Sequence, residues 1–98
     1  MEGREHIFKL LESERDSIRR LGVNRLGLFG SFVRGEQRPD SDVDILVEMD
    51  GMSFGEYVEI LDFLEDLFDR KVDLVPVEDI KPLLRKRILR EVEYVPNL

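Results

Sequence analysis

The stretch Ser41 to Met49, SDVDILVEM, alternates polar or acidic residues with apolar and β-branched ones, the period-two signature of a strand. Asp42 and Asp44 therefore share one face, about 6–7 Å apart along the chain direction. Two carboxylates this close repel each other unless a cation lies between them. Hard oxygen ligands in such a pair suit Mg²⁺, which takes one or two protein carboxylates and completes its octahedron with water and substrate phosphate. Ten residues separate Asp42 from the preceding pair Gly30-Ser31, a candidate for the phosphate end of the same site.

The remainder of the chain supplies elements to hold that strand. From Glu2 to Leu21 a helix is expected, with Ile7, Leu10, Leu11, Ile18 and Leu21 on one stripe and Glu14 interrupting it; Gly22 ends it. Arg25 to Phe29 reads as a short strand in which Gly27 predicts close approach of another backbone or a ligand. Gly30-Ser31 then leads into a helical turn over Phe32 to Gly35, whose free N–H groups suit an anion; Ser31 serves equally well as a plain N-cap. Arg38 to Ser41 reads as a turn, and Asp50-Gly51 closes the acidic strand. Ser53 and Glu56 fit a capping box that opens the main core helix, with Phe54, Tyr57, Val58, Leu61, Leu64, Leu67 and Phe68 on its apolar face. Lys71 to Val77 is a further alternating strand, with Pro76 tolerated only at an edge or strand end. Pro82 opens a last helix whose apolar residues are Leu83, Leu84, Ile88, Leu89 and Val92. Its basic residues, Lys81, Arg85, Lys86, Arg87 and Arg90, suit a solvated face, a protein-docking face or an RNA contact, in that order.

Asp73 stands out in the second alternating strand. Aspartate is a poor strand former, so a carboxylate in KVDLV needs a partner. Lys71 on the same face is the ordinary one. If the strand lies beside that of Asp42 and Asp44 with all three on one face, the carboxylates form a two-metal cradle. His6, far from this motif, has no expected role, and the aromatic residues of the core helix are read as packing.

The order Gly30-Ser31, ten residues, Asp42-Val43-Asp44, then Asp73 in a later strand resembles the signature of the polymerase beta-like nucleotidyltransferase superfamily. GSFVRGE with SDVDILVE, the chain length and the helix-first order are similar to the minimal nucleotidyltransferases of prokaryotes, across nearly the whole chain. The resemblance implies an α/β fold: a small mixed β-sheet of three to four strands packed with three to four helices, one domain spanning residues 1–98. It implies that Asp42, Asp44 and Asp73 hold two Mg²⁺ ions, with Asp73 the ligand of the metal that activates the attacking hydroxyl and a candidate general base. Gly30 and Ser31 then hold the terminal phosphates of ATP, and Arg34 neutralises phosphate or forms a structural salt bridge with Glu36 or Asp40; Arg38 is a weaker candidate of the same kind. It further implies an antitoxin that transfers AMP to a tyrosine of a HEPN-domain toxin. The alternatives are a non-catalytic antitoxin acting by complex formation, or transfer to RNA or a small molecule.

Charge and length bear on those alternatives. A net charge of −7 argues against tight binding to a nucleic-acid backbone by this chain, and 98 residues leave no room for a second domain to carry a polymer. With no cysteine there is no thiolate chemistry, and no stretch approaches the roughly 20 apolar residues of a membrane span. A cytoplasmic protein without membrane contact is expected.

Overall fold

The computed structural model describes residues 3–98. Its centre is a four-stranded mixed sheet of β1 (Arg25–Phe29), β2 (Val43–Glu48), β3 (Val72–Pro76) and β4 (Glu93–Tyr94), in the order β3-β2-β1-β4. Strand β2 runs antiparallel to β1 and parallel to β3, and β4 pairs antiparallel with the outer side of β1. The helices are α1 (Arg4–Ser13), α2 (Arg15–Arg20), α3 (Ser31–Arg34), α4 (Phe54–Phe68) and α5 (Pro82–Glu91), and a 3₁₀ turn covers Val77–Asp79.

Alternation along β2 divides the sheet into two unlike faces. Val43, Ile45 and Val47 are buried with Leu26, Leu28, Val72 and Leu74 against Ile7, Leu11, Ile18, Ile60, Leu64 and Phe68, forming the main core under α1, α2 and α4. The opposite face carries a smaller cluster of Phe29, Leu46, Ile80 and Ile88, covered by α5. Asp44 and Asp73 belong to this second face, because each lies between residues committed to the first.

Several local expectations hold. Ser53 accepts from the Glu56 N–H at 3.1 Å while Glu56 accepts from the Ser53 N–H at 2.9 Å, so the capping box of α4 is complete. Gly27 lies against β4: a Cβ there would stand 2.6 Å from Val92 Cγ2, so the close approach is that of the chain's own C-terminal segment. Pro76 is the last residue of an edge strand, and Pro82 is the first residue of α5.

Four expectations are corrected. The first helix is two, broken at Glu14, where the backbone leaves helical geometry at φ −108° and ψ 20°; its expected start at Glu2 lies outside the described residues. Ser31 is not an N-cap: Gly30 holds that position, with φ of 78°, and Ser31 is the first helical residue. Phe54, at the first turn of α4, projects into solvent at 81% exposure, and Ile60 takes the buried position instead. In α5 only Ile88 is buried, whereas Leu83 is 97% exposed and Leu84 and Leu89 are about two-fifths exposed. Ile88 is the one buried residue of α5, because its inward neighbours Lys81, Arg87 and Glu91 are charged and Leu84 faces the open cavity.

Ile88 therefore anchors α5 to the sheet. Ile88→Ala is expected to cost about 2–4 kcal/mol in chemical denaturation, while Leu83→Ala, on the exposed side of the same helix, changes stability by less than about 0.5 kcal/mol.

Candidate active site

The parallel register of β2 and β3 sets Asp44 directly opposite Asp73. Neighbouring strands are about 4.8 Å apart, so the two carboxylates leave the same face side by side. Asp42 precedes β2 by one residue, two positions before Asp44 along the chain. The loop that delivers it is clamped: the Arg70 guanidinium donates to the carbonyls of Pro39 and Ser41, each at 2.9 Å, and lies over the Phe32 ring. Arg70 is a contributor that the sequence did not single out.

Asp44 is half-buried and accepts no hydrogen bond or ion pair among the described residues. Its carboxyl is pushed up to about 6, first by burial, then by the charges of Asp73 and Asp42, with Arg34 pulling the other way. Lys71, the ordinary partner for Asp73, forms no ion pair with it.

The Gly30 turn closes the other side. A Cβ on residue 30 would overlap the Asp44 carboxylate, and φ of 78° disfavours any L side chain, so glycine is required twice over. The Gly30 N–H donates to Glu91 Oε2 at 2.7 Å, and the Arg34 guanidinium donates to Glu91 Oε1 at 3.0 Å and to Glu36 at 2.9 Å. Of the two salt bridges anticipated for Arg34, that with Glu36 forms and that with Asp40 does not. Glu91, the last residue of α5, was not anticipated at all.

Between this face and α5 lies a cavity of about 520 Å³ whose lining includes Gly30, Arg34, Asp44, Asp73, Lys81 and Arg87. Its volume falls within the range of small-molecule sites. Asp42 stands outside this lining, in an adjoining depression with Asp40 and Lys71, and reaches the cavity through its field on Asp44. Ser31 does not line the cavity either. His6 lies in a separate depression beside Pro96, away from the carboxylates.

The donor chemistry fits Mg²⁺. Asp44 and Asp73 share one end of a sheet face with Asp42 one residue before β2, and Asp44 has no hydrogen-bond or ion-pair partner among the described residues, only the field of Arg34 opposing its charge. Among the described residues no group of three or more acidic or histidine side chains is placed to hold a metal ion. That is consistent with an ion that retains several waters and takes further oxygens from a substrate phosphate.

Acidic groups that call for a cation, next to a cavity with cationic walls, suit a metal-bound polyphosphate. The chain belongs to the nucleotidyltransferase domain family, which matches residues 11–95, and within it is a minimal nucleotidyltransferase. It is 43% identical over 93 residues to the protein adenylyltransferase MntA of Thermococcus cleftensis, covering 93% of this chain and 94% of that one. A solved structure described as a minimal nucleotidyltransferase shares the fold with a TM-score of 0.81 at 33% identity, covering 94% of this chain and 95% of that one. A chain of a toxin–antitoxin structure with AMP-PNP matches with a TM-score of 0.68 at 28% identity, covering 94% of this chain and 71% of that one.

The raised carboxyl of Asp44 carries a stability consequence. Its folded pKa lies above its unfolded value of 3.8, so the native state holds the extra proton between about pH 4 and 6. Stability from this group falls as pH rises through that window, and the deficit is complete above about pH 6. Asp44→Asn in metal-free protein is therefore expected to raise stability at pH 8 by about 1 kcal/mol, after discounting for partial solvent exposure, or about 4–8 °C in Tm. Melting curves at pH 8 and pH 4 check this, because the gain should vanish at the lower pH.

Proposed function

We propose that this chain is a Mg²⁺-dependent nucleotidyltransferase that transfers AMP from ATP to a hydroxyl of a partner HEPN toxin, a tyrosine hydroxyl, and acts as its antitoxin. The observation that carries the reading is the register pairing of Asp44 with Asp73 beside the Gly30 turn. The adenylyltransferase relative and the toxin–antitoxin structure with AMP-PNP support it from outside the chain.

The acceptor oxygen attacks the α-phosphorus of ATP, the bond from that phosphorus to the bridging oxygen breaks, and pyrophosphate leaves in line with the attack. Mg²⁺, when bound, supplies charge neutralisation at the α-phosphoryl group and at the entering and departing oxygens. Asp42 and Asp44 would hold it. Asp73, the more exposed of the cross-strand pair, would hold it as well and takes the proton of the acceptor hydroxyl. Gly30 and Ser31 fix the nucleotide's phosphates, with Gly30 lacking the side chain that would block Asp44. Arg34, at the end of the same turn, holds that turn against Glu91.

Labelled ATP, Mg²⁺ and the partner HEPN toxin should give AMP-modified toxin, and chelation of the metal should abolish the transfer. Asp42→Ala with Asp44→Ala should lower it by more than about a hundredfold. Absence of transfer with folded components overturns the protein-modifying reading. Undiminished neutralisation of the toxin by the double variant would favour inhibition by complex formation instead.

A further inference from the structure

The charges around the cavity are unevenly committed. Arg34, the cation closest in sequence to the Gly30 turn, is held by two carboxylates, Glu36 and Glu91. Its positive charge is already offset within the protein. Two other cations line the same cavity, Lys81 and Arg87, and neither pairs with any described carboxylate. They come from the N-cap and the second turn of α5, on the stripe that also carries Leu84, Ile88 and Glu91, at intervals of three, three, one and three residues. Lys86 and Arg90 do not line the cavity. The face of α5 turned to the sheet is thus cationic at its start and anionic at its end, with Ile88 between.

A nucleoside triphosphate brings about four negative charges into a site that already contains Asp42, Asp44 and Asp73. Two divalent ions offset only part of that total, so unpaired cations across the cavity have a defined task. We propose that Lys81 and Arg87 form the polyphosphate-binding wall of the site, taking the β- and γ-phosphates, while Arg34 is a positioning residue that ties the Gly30 turn to Glu91. This assignment rests on the nucleotidyltransferase reading above. It places the leaving group against α5 and leaves the side of Asp73 and Asp42 open for the acceptor hydroxyl.

Equilibrium binding of Mg²⁺·AMP-PNP, of AMP and of inorganic tripolyphosphate to the full chain tests it. Lys81→Ala with Arg87→Ala should weaken AMP-PNP and tripolyphosphate binding by about a hundredfold, roughly tenfold for each lost charge-assisted contact. AMP binding should change by less than about threefold, and the conservative pair Lys81→Arg with Arg87→Lys should restore most of the loss. Lys86→Ala with Arg90→Ala, on the outer side of the helix, should bind like the parent. Arg34→Ala should lower Tm, and its loss of AMP-PNP affinity should be reproduced by Glu91→Gln, which leaves the Arg34 charge in place. Unchanged AMP-PNP binding by the Lys81 and Arg87 double variant overturns the proposal, whether or not AMP transfer is observed. So does a rise in acceptor KM with nucleotide binding intact, which would assign the wall to the acceptor. Absence of tripolyphosphate binding by the parent protein overturns it as well. Tripolyphosphate binding lost in the double variant, in a protein that transfers no AMP, would uphold the wall and sink the transfer reaction.

Discussion

Holding two carboxylates side by side on one sheet face is the constraint on which the rest of this structure depends. Parallel pairing of β2 with β3 forces Asp44 against Asp73, and burial raises the carboxyl of Asp44 to about 6. A lone pair of strands would slip or splay to relieve that repulsion. Here slippage by one residue would turn Val43, Ile45, Val72 and Leu74 out of the main core and the aspartates into it. The apolar face of β2 therefore enforces the register that its acidic face resists. Stability and site geometry are opposed on the two sides of the same strand.

The turn after β1 solves a second problem, that of bringing backbone against a carboxylate without a side chain between. Gly30 does so only because its φ is positive and its Cβ absent, and the resulting exposed N–H is satisfied by Glu91. The same Glu91 carboxylate holds Arg34, so one residue at the end of α5 fixes both the strand exit and the short helix that follows. Through this bridge the C-terminal helix becomes part of the site rather than an outer layer.

Sequence reading reached the features that depend on local pattern. The alternation of β2 and β3 placed Asp42, Asp44 and Asp73 on predicted strand faces, the capping box placed the start of α4, and Gly27 announced a close backbone. What it missed depends on which element meets which. Leu83 and Leu89 belong to the helical pattern of α5 as plausibly as Ile88 does, and only docking against Phe29 and Leu46 selects Ile88. The inward stripe Lys81, Leu84, Arg87, Ile88 and Glu91 is spaced as a helix face, yet its charged members make it read as a solvent-facing one. Strand β4 is two residues long, too short to leave a periodic signal. Phe54 misled for the opposite reason: it is apolar and at helical spacing, but the first turn of α4 overhangs the edge of the core.

The two halves of the site consequently rest on unequal foundations. Asp44 and Asp73 extend from central strands whose other face is the main core, so their backbone positions share the stability of that core. Lys81, Arg87 and Glu91 belong to a helix that buries one side chain and is tied across the cavity by hydrogen bonds from Gly30 and Arg34 to Glu91. Local opening of α5 exposes little apolar surface beyond Ile88 and so costs far less than opening of the sheet. A ligand that bridges carboxylate-bound metal on one side and lysine and arginine on the other would tie the loosely held wall to the rigid one. Filling the cavity and fixing α5 would then be a single event, in which the helix is ordered by the same polyphosphate whose charge it would offset.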